Sequence, residues 1–224
     1  QLTITDGFVA TFGFGVQTMF GVRPIAWAEL FASLDLLLGT RPVMQRCTAS
    51  GIDYLIRNLR RFMRPRRRHV AVTMQPGRAR IEYQPLGVIG VISPWNYPIQ
   101  LSLAPVITAL AAGNRVMLKP SELTPHTSAK LAQLVAQFFA PEEFCVIEGD
   151  VGVATQFSGL QFDHLLFTGS TAVGRRVAQA AAVHLTPTTL ELGGKSPCII
   201  AQDCDIEAVA LKVAYGKLVN AGQT

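Results

Sequence analysis

Short apolar runs alternate with longer amphipathic ones along most of the chain. LGVIGVIS at 86–93 is a β-branched apolar run, typical of a strand buried on both faces. QLSLAPVITALAAG at 100–113 predicts a helix that ends at Gly113, because glycine tolerates the left-handed backbone found at helix ends. Further strands are predicted at 115–120, 143–149, 163–169, 189–194 and 197–202, and further helices at 124–139, 150–159, 170–182 and 205–220.

This alternation predicts an α/β fold, because consecutive strand–helix–strand units form parallel sheets with right-handed crossovers. We expect a doubly wound, mostly parallel, Rossmann-like sheet. In the helix at 124–139, Thr124 has the position of an N-cap and Pro125 that of the first helical residue. Ligands of such sheets bind beyond the carboxyl ends of the strands, so the residues that follow each strand are the functional candidates.

The pattern before residue 86 is less regular. VAVTMQ at 70–75 and ARIEYQ at 79–84 flank a Pro-Gly-Arg turn and predict a β-hairpin. IAWAELFASLDLLL at 25–38 has helical spacing and is followed by Gly39. We therefore expect three parts: a helical or irregular segment at 1–69, a β-hairpin at 70–85 and an α/β domain at 86–224.

Composition indicates a folded chain that does not span a membrane. Hydrophobic residues make up 49% of the 224 residues and charged residues 16%, which excludes a disordered chain. The nearest approach to a membrane span, GFVATFGFGVQTMFGV at 7–22, is shorter than the roughly 18 apolar residues that are needed. It also lacks the features of a secretory leader. We expect a cytoplasmic protein with no membrane partner.

The formal charge of +5 arises from the segment at 57–68, which contains seven arginines. Such a run can bind nucleic acid, and steep salt dependence would mark that alternative. However, Pro65 interrupts a continuous basic helix, and no aromatic platform for single strands accompanies the run. We expect a solvated connector and no nucleic-acid partner.

The four cysteines, Cys47, Cys145, Cys198 and Cys204, contain no C-x-x-C pair, and the four histidines are scattered. This spacing predicts reduced, mostly buried thiols and no metal site.

Two predicted strands are followed by polar side chains within short loops. In SPWNYP at 93–98, two prolines restrict the backbone around Asn96, whose amide can donate to a developing oxyanion. The alternative is an asparagine that satisfies its own turn. In LKPSE at 118–122, Lys119 and Glu122 can bind the vicinal hydroxyls of a ribose, although each alone would be an ordinary surface charge.

Two later strand ends complete the set. FTGSTAVG at 167–174 is a strand–turn–helix in which backbone N–H groups can face a phosphate, although Thr171 replaces the second glycine of G-x-G-x-x-G. Glu191 in ELGGKSP has the position of a general base, or of an exposed strand-end carboxylate. An oxyanion donor, a ribose clamp, a phosphate turn and a base together fit a nicotinamide-dependent oxidoreductase that acts on a carbonyl.

Together, PLGVIGVISPWNYP, LKPSE, FDHLLFTGSTAVG and LTPTTLELGGKSPC closely resemble the signatures of the aldehyde dehydrogenase superfamily, in the same order. The stretch from LTPTTLELGGKSPC to the end is most similar to the class-three branch. RRFMRPRRRHV is similar to the coniferyl aldehyde dehydrogenase subgroup of that branch. The resemblance covers residues 57–224, whereas residues 1–56 lack the charged N-terminal helices of the family.

The resemblance implies that 86–224 is an NAD(P)-binding domain and that NAD or NADP is the cofactor, with no metal. It assigns Asn96 to the oxyanion hole, Glu191 to the general base, and the hairpin to oligomerisation. The cofactor-binding residues that it implies are Ser93, Pro94, Trp95, Asn96, Lys119, Glu122, Gly169, Ser170, Thr171, Gly174, Glu191, Leu192 and Gly193.

The family uses a cysteine thiolate that follows a G-Q-x stretch, which is Gly222-Gln223-Thr224 here. The resemblance therefore implies that the nucleophile would be the residue directly after Thr224, and that Cys198 is a noncatalytic core residue. It implies oxidation of an aromatic or long-chain aldehyde, such as coniferyl aldehyde, to the acid through a thioester. The full-length protein is expected to be a homodimer, and this chain alone, as a fragment, is expected to be inactive.

Two other functions stay open at this point. One is a stand-alone nucleotide-binding or regulatory module, which needs no nucleophile. The other is an acyl-phosphate or acyl-CoA reductase of the same fold, against which Glu191 argues because a base serves hydrolysis of the thioester.

Overall fold

A computed structural model of the chain describes residues 42–223. Its centre is a five-stranded parallel sheet with helices on both faces. Its helices are α1 (Pro42–Phe62), α2 (Gln100–Ala111), α3 (Pro125–Phe138), α4 (Val151–Ser158), α5 (Thr171–Ala182) and α6 (Ile206–Leu218). Its strands are β1 (Arg66–Arg68), β2 (Ala79–Ile81), β3 (Val88–Ile92), β4 (Arg115–Lys119), β5 (Phe144–Val146), β6 (His164–Gly169) and β7 (Thr188–Leu192). Two 3₁₀ turns lie at Val72–Met74 and Val219–Gly222.

The strand order β5-β4-β3-β6-β7 reverses its direction of growth at β3. The chain first winds outward through β4 and β5, then returns to the other side of β3 with β6 and β7. Val91 of β3 lies opposite Leu118 of β4 on one side and Leu166 of β6 on the other. The doubly wound fold predicted from the sequence is therefore confirmed, with its topological switch point at β3.

Each face of the sheet has its own hydrophobic core. The buried side chains of the strands belong either to one of these cores or to the other. Ile89 and Val91 belong to the core formed with α1, α2 and α3. Ile92 and Phe167 belong to the opposite core, formed with α4 and α5. Gly90 leaves room in this second core, because a Cβ there would lie 2.7 Å from the Phe162 ring. The two-sided burial explains why these strands are apolar throughout.

Side chains from two other segments fix the start of β3. Asn114 Oδ1 accepts hydrogen bonds from the N–H groups of Leu86 at 2.6 Å and Gly87 at 3.0 Å. Asp163 Oδ2 accepts one from the Val88 N–H at 2.7 Å. Gly87 has a φ of 135°, which side chains rarely adopt, and a Cβ there would collide with the Asp163 carboxylate.

The basic segment at 57–68 does not form the expected connector. Its first residues complete α1, and Arg66–Arg68 is the first strand of the hairpin, antiparallel to Ala79–Ile81. The predicted strand VAVTMQ contains a 3₁₀ turn instead, and its Val72 is 84% exposed. Alternating apolar residues select a strand only where one face is buried, and neither face of this ribbon provides that burial.

The predicted strand PCIIAQ at 197–202 is also absent, because residues 193–200 have no regular secondary structure and Ile199 is 90% exposed. Thr124 precedes α3 as expected, but its hydroxyl donates to the Ser121 carbonyl and does not cap the helix. The helix predicted at 25–38 lies outside the described residues. Within 42–223, no helix is long and apolar enough to cross a membrane.

Substitution Gly87→Ala is expected to lower the free energy of unfolding by about 2–4 kcal/mol, because it combines backbone strain with loss of the Asp163 bond. Urea unfolding measures this change. The matched control is Gly51→Ala in α1, where a Cβ meets no atom within 4 Å and helix propensity improves. Equal stabilities of the two variants would contradict this account of the β3 entrance.

Candidate active site

The carboxyl ends of four neighbouring strands form one edge of the sheet, and the predicted site residues follow them. Ser93 comes directly after β3, and Lys119 ends β4. Gly169 ends β6, and Glu191 is the next-to-last residue of β7, opposite Thr168. The sheet therefore brings all four predicted strand ends to the same edge, at the switch point where ligands of this fold bind.

Buried hydroxyl groups close the turn that carries Asn96. The Ser93 and Ser102 hydroxyls lie 2.6 Å apart, and both residues are buried. The Ser102 hydroxyl also donates to the Pro98 carbonyl, while the Ser93 N–H donates to the Lys119 carbonyl at 3.1 Å. These bonds tie both ends of the turn to α2 and β4, and they leave Asn96 between two anchored points.

The Asn96 side chain reaches outside its own turn. Its Nδ2 donates to the Gln223 carbonyl at 2.8 Å, across 127 residues of sequence. Its main-chain carbonyl accepts from the Asn220 amide at 3.0 Å. The structure thus brings the G-Q stretch to the predicted oxyanion donor, a proximity that no single motif indicated.

Lys119 is not a surface charge, since only 1% of its side chain is exposed. Its Nζ donates to the Pro120 carbonyl at 2.7 Å and lies 3.7 Å from the partly exposed Glu122 carboxylate. Burial lowers the pKa of Lys119, and the negative charge of Glu122 partly opposes that shift. The two side chains form one unit that offers a donor and an acceptor at the end of β4.

The β6–α5 turn places the amino end of a 12-residue helix at this edge of the sheet, as an anion site would require. The Ser170 hydroxyl caps α5 by accepting from the Val173 N–H at 3.3 Å. Thr171 is the first helical residue and is exposed, so its side chain stands at the amino end of the helix. Gly174 is buried, and a Cβ there would lie 2.6 Å from Leu192. This last glycine therefore lets α5 pack closely against the end of β7.

Glu191 is exposed at the end of β7, so solvent reaches its carboxylate. Gly193 and Gly194 follow it, and a Cβ at either position would meet no atom within 4 Å. Packing within the described chain does not require these two glycines. They leave open backbone beside the carboxylate, which suits a base that water must reach.

Three cysteines have described side chains, Cys145, Cys198 and Cys204, and none of them forms a disulfide. Cys145 on β5 is half-buried, and that burial raises the pKa of its thiol. Cys198 is exposed, which corrects the expectation that it lies in the core; it falls in the irregular segment after β7 that leaves it no core to join. Residues 42–223 also contain no group of His, Cys, Asp and Glu side chains that could hold a metal ion.

A cavity of about 560 Å³ lies between α1 and α2, which the sequence pattern did not indicate because α1 was not predicted. Its lining is largely apolar and follows one face of each helix, with Arg66 and Tyr83 contributed by the hairpin region. Gln100, at one end of the α2 face, is four residues along the chain from Asn96. The cavity therefore reaches the first residue of α2, the helix that follows the Asn96 turn.

Two further residues that the sequence did not indicate contact this turn. Ser102 carries a weak sequence signal, because it is a hydroxyl within an apolar helix. Asn220 carries none, because its contact with Asn96 depends on the tertiary fold. Gln223 belongs to the G-Q-x stretch that the resemblance places before the nucleophile, but its bond to Asn96 was not predicted.

Comparison with known proteins agrees with these motifs. Residues 43–224 match the aldehyde dehydrogenase family, so the similarity includes α1 and begins before residue 57. A probable coniferyl aldehyde dehydrogenase of Pseudomonas aeruginosa is 52% identical over 78% of this chain and 37% of its own length. The rat aldehyde dehydrogenase described as dimeric and NADP-preferring is 49% identical over 64% of this chain and 32% of its own length.

Solved structures show the same similarity. The crystal structure of a Mycobacterium tuberculosis aldehyde dehydrogenase complexed with NAD+ has a TM-score of 0.76 and 30% identity, over 94% of this chain and 45% of that one. The chain thus spans about a third of the two relatives and under half of this structure.

Substitution Ser102→Ala is expected to lower the free energy of unfolding by about 1–3 kcal/mol, because it leaves buried polar atoms of the turn without a partner. Thr108→Ala in the same helix is the control, since its hydroxyl bonds only a carbonyl one turn earlier and about 0.5 kcal/mol or less is expected. Urea unfolding gives both values, and the NMR resonances of the Trp95 indole report the turn. An unchanged Trp95 signal in Ser102→Ala would contradict the anchoring role.

Proposed function

The chain belongs to the aldehyde dehydrogenase family, and from that premise we propose that it binds NAD or NADP and positions Asn96 and Glu191 for oxidation of an aldehyde to a carboxylic acid. The observation that carries the proposal is the 2.8 Å hydrogen bond from Asn96 to Gln223. It brings the expected oxyanion donor beside the G-Q stretch that precedes the family's nucleophile.

The residues present fit a dinucleotide. The β6–α5 turn offers a capped helix of 12 residues for the phosphates, with Gly169, Ser170, Thr171 and Gly174 in the positions that the resemblance assigns. Lys119 and Glu122 would bind the adenosine ribose at the end of β4. The remaining residues of the proposed cofactor surface are Ser93, Pro94, Trp95, Asn96, Glu191, Leu192 and Gly193. When bound, the nicotinamide accepts a hydride from the substrate carbon.

The protein's own groups would act on the charge and protons of the reaction. The Asn96 amide would donate to the aldehyde oxygen as it becomes negative, an interaction that contributes about 10²–10³ in rate in other enzymes. The sulfur that bonds the carbonyl carbon would come from a cysteine after Thr224. Glu191 would then take a proton from the water that hydrolyses the thioester, which is typically a contribution of about 10²–10⁴.

The shape of the α1–α2 cavity supports an aromatic or long-chain aldehyde as the substrate. The cavity follows α2, a helix of 12 residues and hence about 18 Å in length, and its lining is largely apolar. The relative described as a probable coniferyl aldehyde dehydrogenase is consistent with an aromatic substrate. The volume and the apolar lining favour such molecules over short polar aldehydes.

We also propose that 86–224 is the cofactor-binding domain and that the hairpin serves oligomerisation in a homodimer. The exposed Arg66–Arg68 and Ala79–Ile81 strands support this, since each pairs only with the other in the described chain. The hairpin therefore begins at Arg66, not at residue 70.

Substitution Lys119→Met is expected to weaken NADH binding by at least about tenfold, because a ribose hydroxyl loses its charged donor. The free energy of unfolding should change by less than about 1 kcal/mol, since the buried ammonium itself costs stability. Fluorescence titration with NADH measures affinity. Lys130→Met is the control, because that exposed lysine on α3 bonds only Gln133. Equal affinities of the two variants would contradict the ribose assignment.

The chain of 224 residues, prepared alone, is expected to reduce no NAD+ or NADP+ with coniferyl aldehyde or a long-chain aldehyde. The physical reason is that the proposed mechanism takes its nucleophile from a cysteine after Thr224, a position that this 224-residue chain does not include. The measurement is the appearance of NADH or NADPH absorbance over time. Turnover that is abolished by Glu191→Gln would overturn this expectation.

A further inference from the structure

Asn96 and the segment at 220–223 are joined by a closed ring of hydrogen bonds. Asn220 Nδ2 donates to the Asn96 carbonyl at 3.0 Å, and Asn96 Nδ2 donates to the Gln223 carbonyl at 2.8 Å. The Gln223 N–H donates to the Asn220 carbonyl at 3.1 Å, which closes the ring. Each of the three residues contributes two hydrogen-bonding groups, so displacement of any one of them disturbs two hydrogen bonds of the ring.

We infer that Asn220 is a positioning residue: through the Asn96 carbonyl, its amide holds the oxyanion donor in register with the chain that leads to the nucleophile. The inference rests on the proposed function, because it concerns the geometry of that reaction. Asn220 itself touches neither substrate nor reacting atoms in this scheme. Its effect passes through Asn96 and Gln223.

The backbone of this segment supports a positioning role. Asn220 has φ 49° and Ala221 φ 54°, and both lie in the left-handed region, followed by Gly222 at φ 80°. Asparagine and glycine tolerate this region, whereas alanine is strained there by about 1–2 kcal/mol. A strained conformation persists only where surrounding contacts hold it, and the ring supplies such contacts.

Packing of α6 does not replace the ring. None of the residues of α6 is buried, and Leu211, Tyr215 and Leu218 are all at least 70% exposed. The helix therefore has little apolar contact with the sheet in the described chain. Without the Asn220 amide, the segment at 219–223 would lose its register with Asn96 while the two cores of the sheet stay intact.

The ring leaves Asn96 competent as a donor. A carboxamide nitrogen carries two hydrogens, and the bond to the Gln223 carbonyl uses one of them. The second hydrogen remains for the substrate oxygen. The bond to Gln223 also fixes the rotation of the amide plane, so the second N–H has a defined direction before substrate arrives.

The test compares Asn220→Asp and Asn220→Gly with Ala221→Gly in the 224-residue chain. Aspartate keeps the size and the left-handed tolerance of asparagine but cannot donate when ionised, and glycine removes the side chain altogether. Ala221→Gly is the control, since it relieves strain one residue away and retains the Asn220 amide. All three should fold, because the substituted positions lie outside both cores.

The readouts are the NMR resonances of the Asn96 carboxamide and its nuclear Overhauser effect to Gln223. Both Asn220 variants are expected to lose this nuclear Overhauser effect and to shift the Asn96 resonances. The Ala221→Gly control is expected to keep the effect and to leave the Asn96 resonances unchanged. NADH affinity should stay within about twofold in all three, because the proposed ribose and phosphate contacts at Lys119, Glu122 and 169–174 lie outside the ring, and Asn96 alone belongs to both.

Retention of the nuclear Overhauser effect between Asn96 and Gln223 in both Asn220 variants would overturn the positioning role, whatever NADH affinity is measured. Absence of NADH binding by the unsubstituted chain would instead contradict the proposed function and leave the NMR comparison interpretable. The two failures are thus distinguishable in one set of samples.

Discussion

The pairing of β3 with β4 on one side and with β6 on the other constrains the rest of the site. Both partnerships are parallel, and Ile92 lies level with Lys119 and with Phe167. The turn after β3 must therefore leave the sheet between the ends of its two neighbours. The proposed ribose pair on one side, the proposed phosphate turn on the other and the proposed amide donor between them all depend on that one arrangement.

The sequence pattern predicted this part of the fold well because burial is two-sided here. An apolar run such as 86–93 has one stable outcome when both of its faces are covered. The same pattern failed in VAVTMQ and PCIIAQ, where the structure leaves the residues exposed. The pattern also missed α1, because its arginines at 57–61 obscured an apolar face that contacts α2 through Ile52 and Leu55.

Individual site residues differed in how far sequence could identify them. Lys119 ends β4 and Gly174 lies in the first turn of α5, as the motifs predicted, and their functional roles stay predictions. Ser102 and Asn220 act through partners that only the tertiary fold supplies. The exposure of Glu191 is known only from the structure, since an apolar strand end is compatible with a buried or an exposed carboxylate.

Helix α2 serves two purposes with two different faces. Ser102 anchors the Asn96 turn from within the core, while Ala104 and Ile107 line the cavity between α1 and α2. A larger side chain on the cavity face of α2 would push on the same rigid helix that holds the amide donor. Under the proposed function, a change in the range of aldehydes that is made through α2 would therefore also alter turnover, because both depend on the position of one helix.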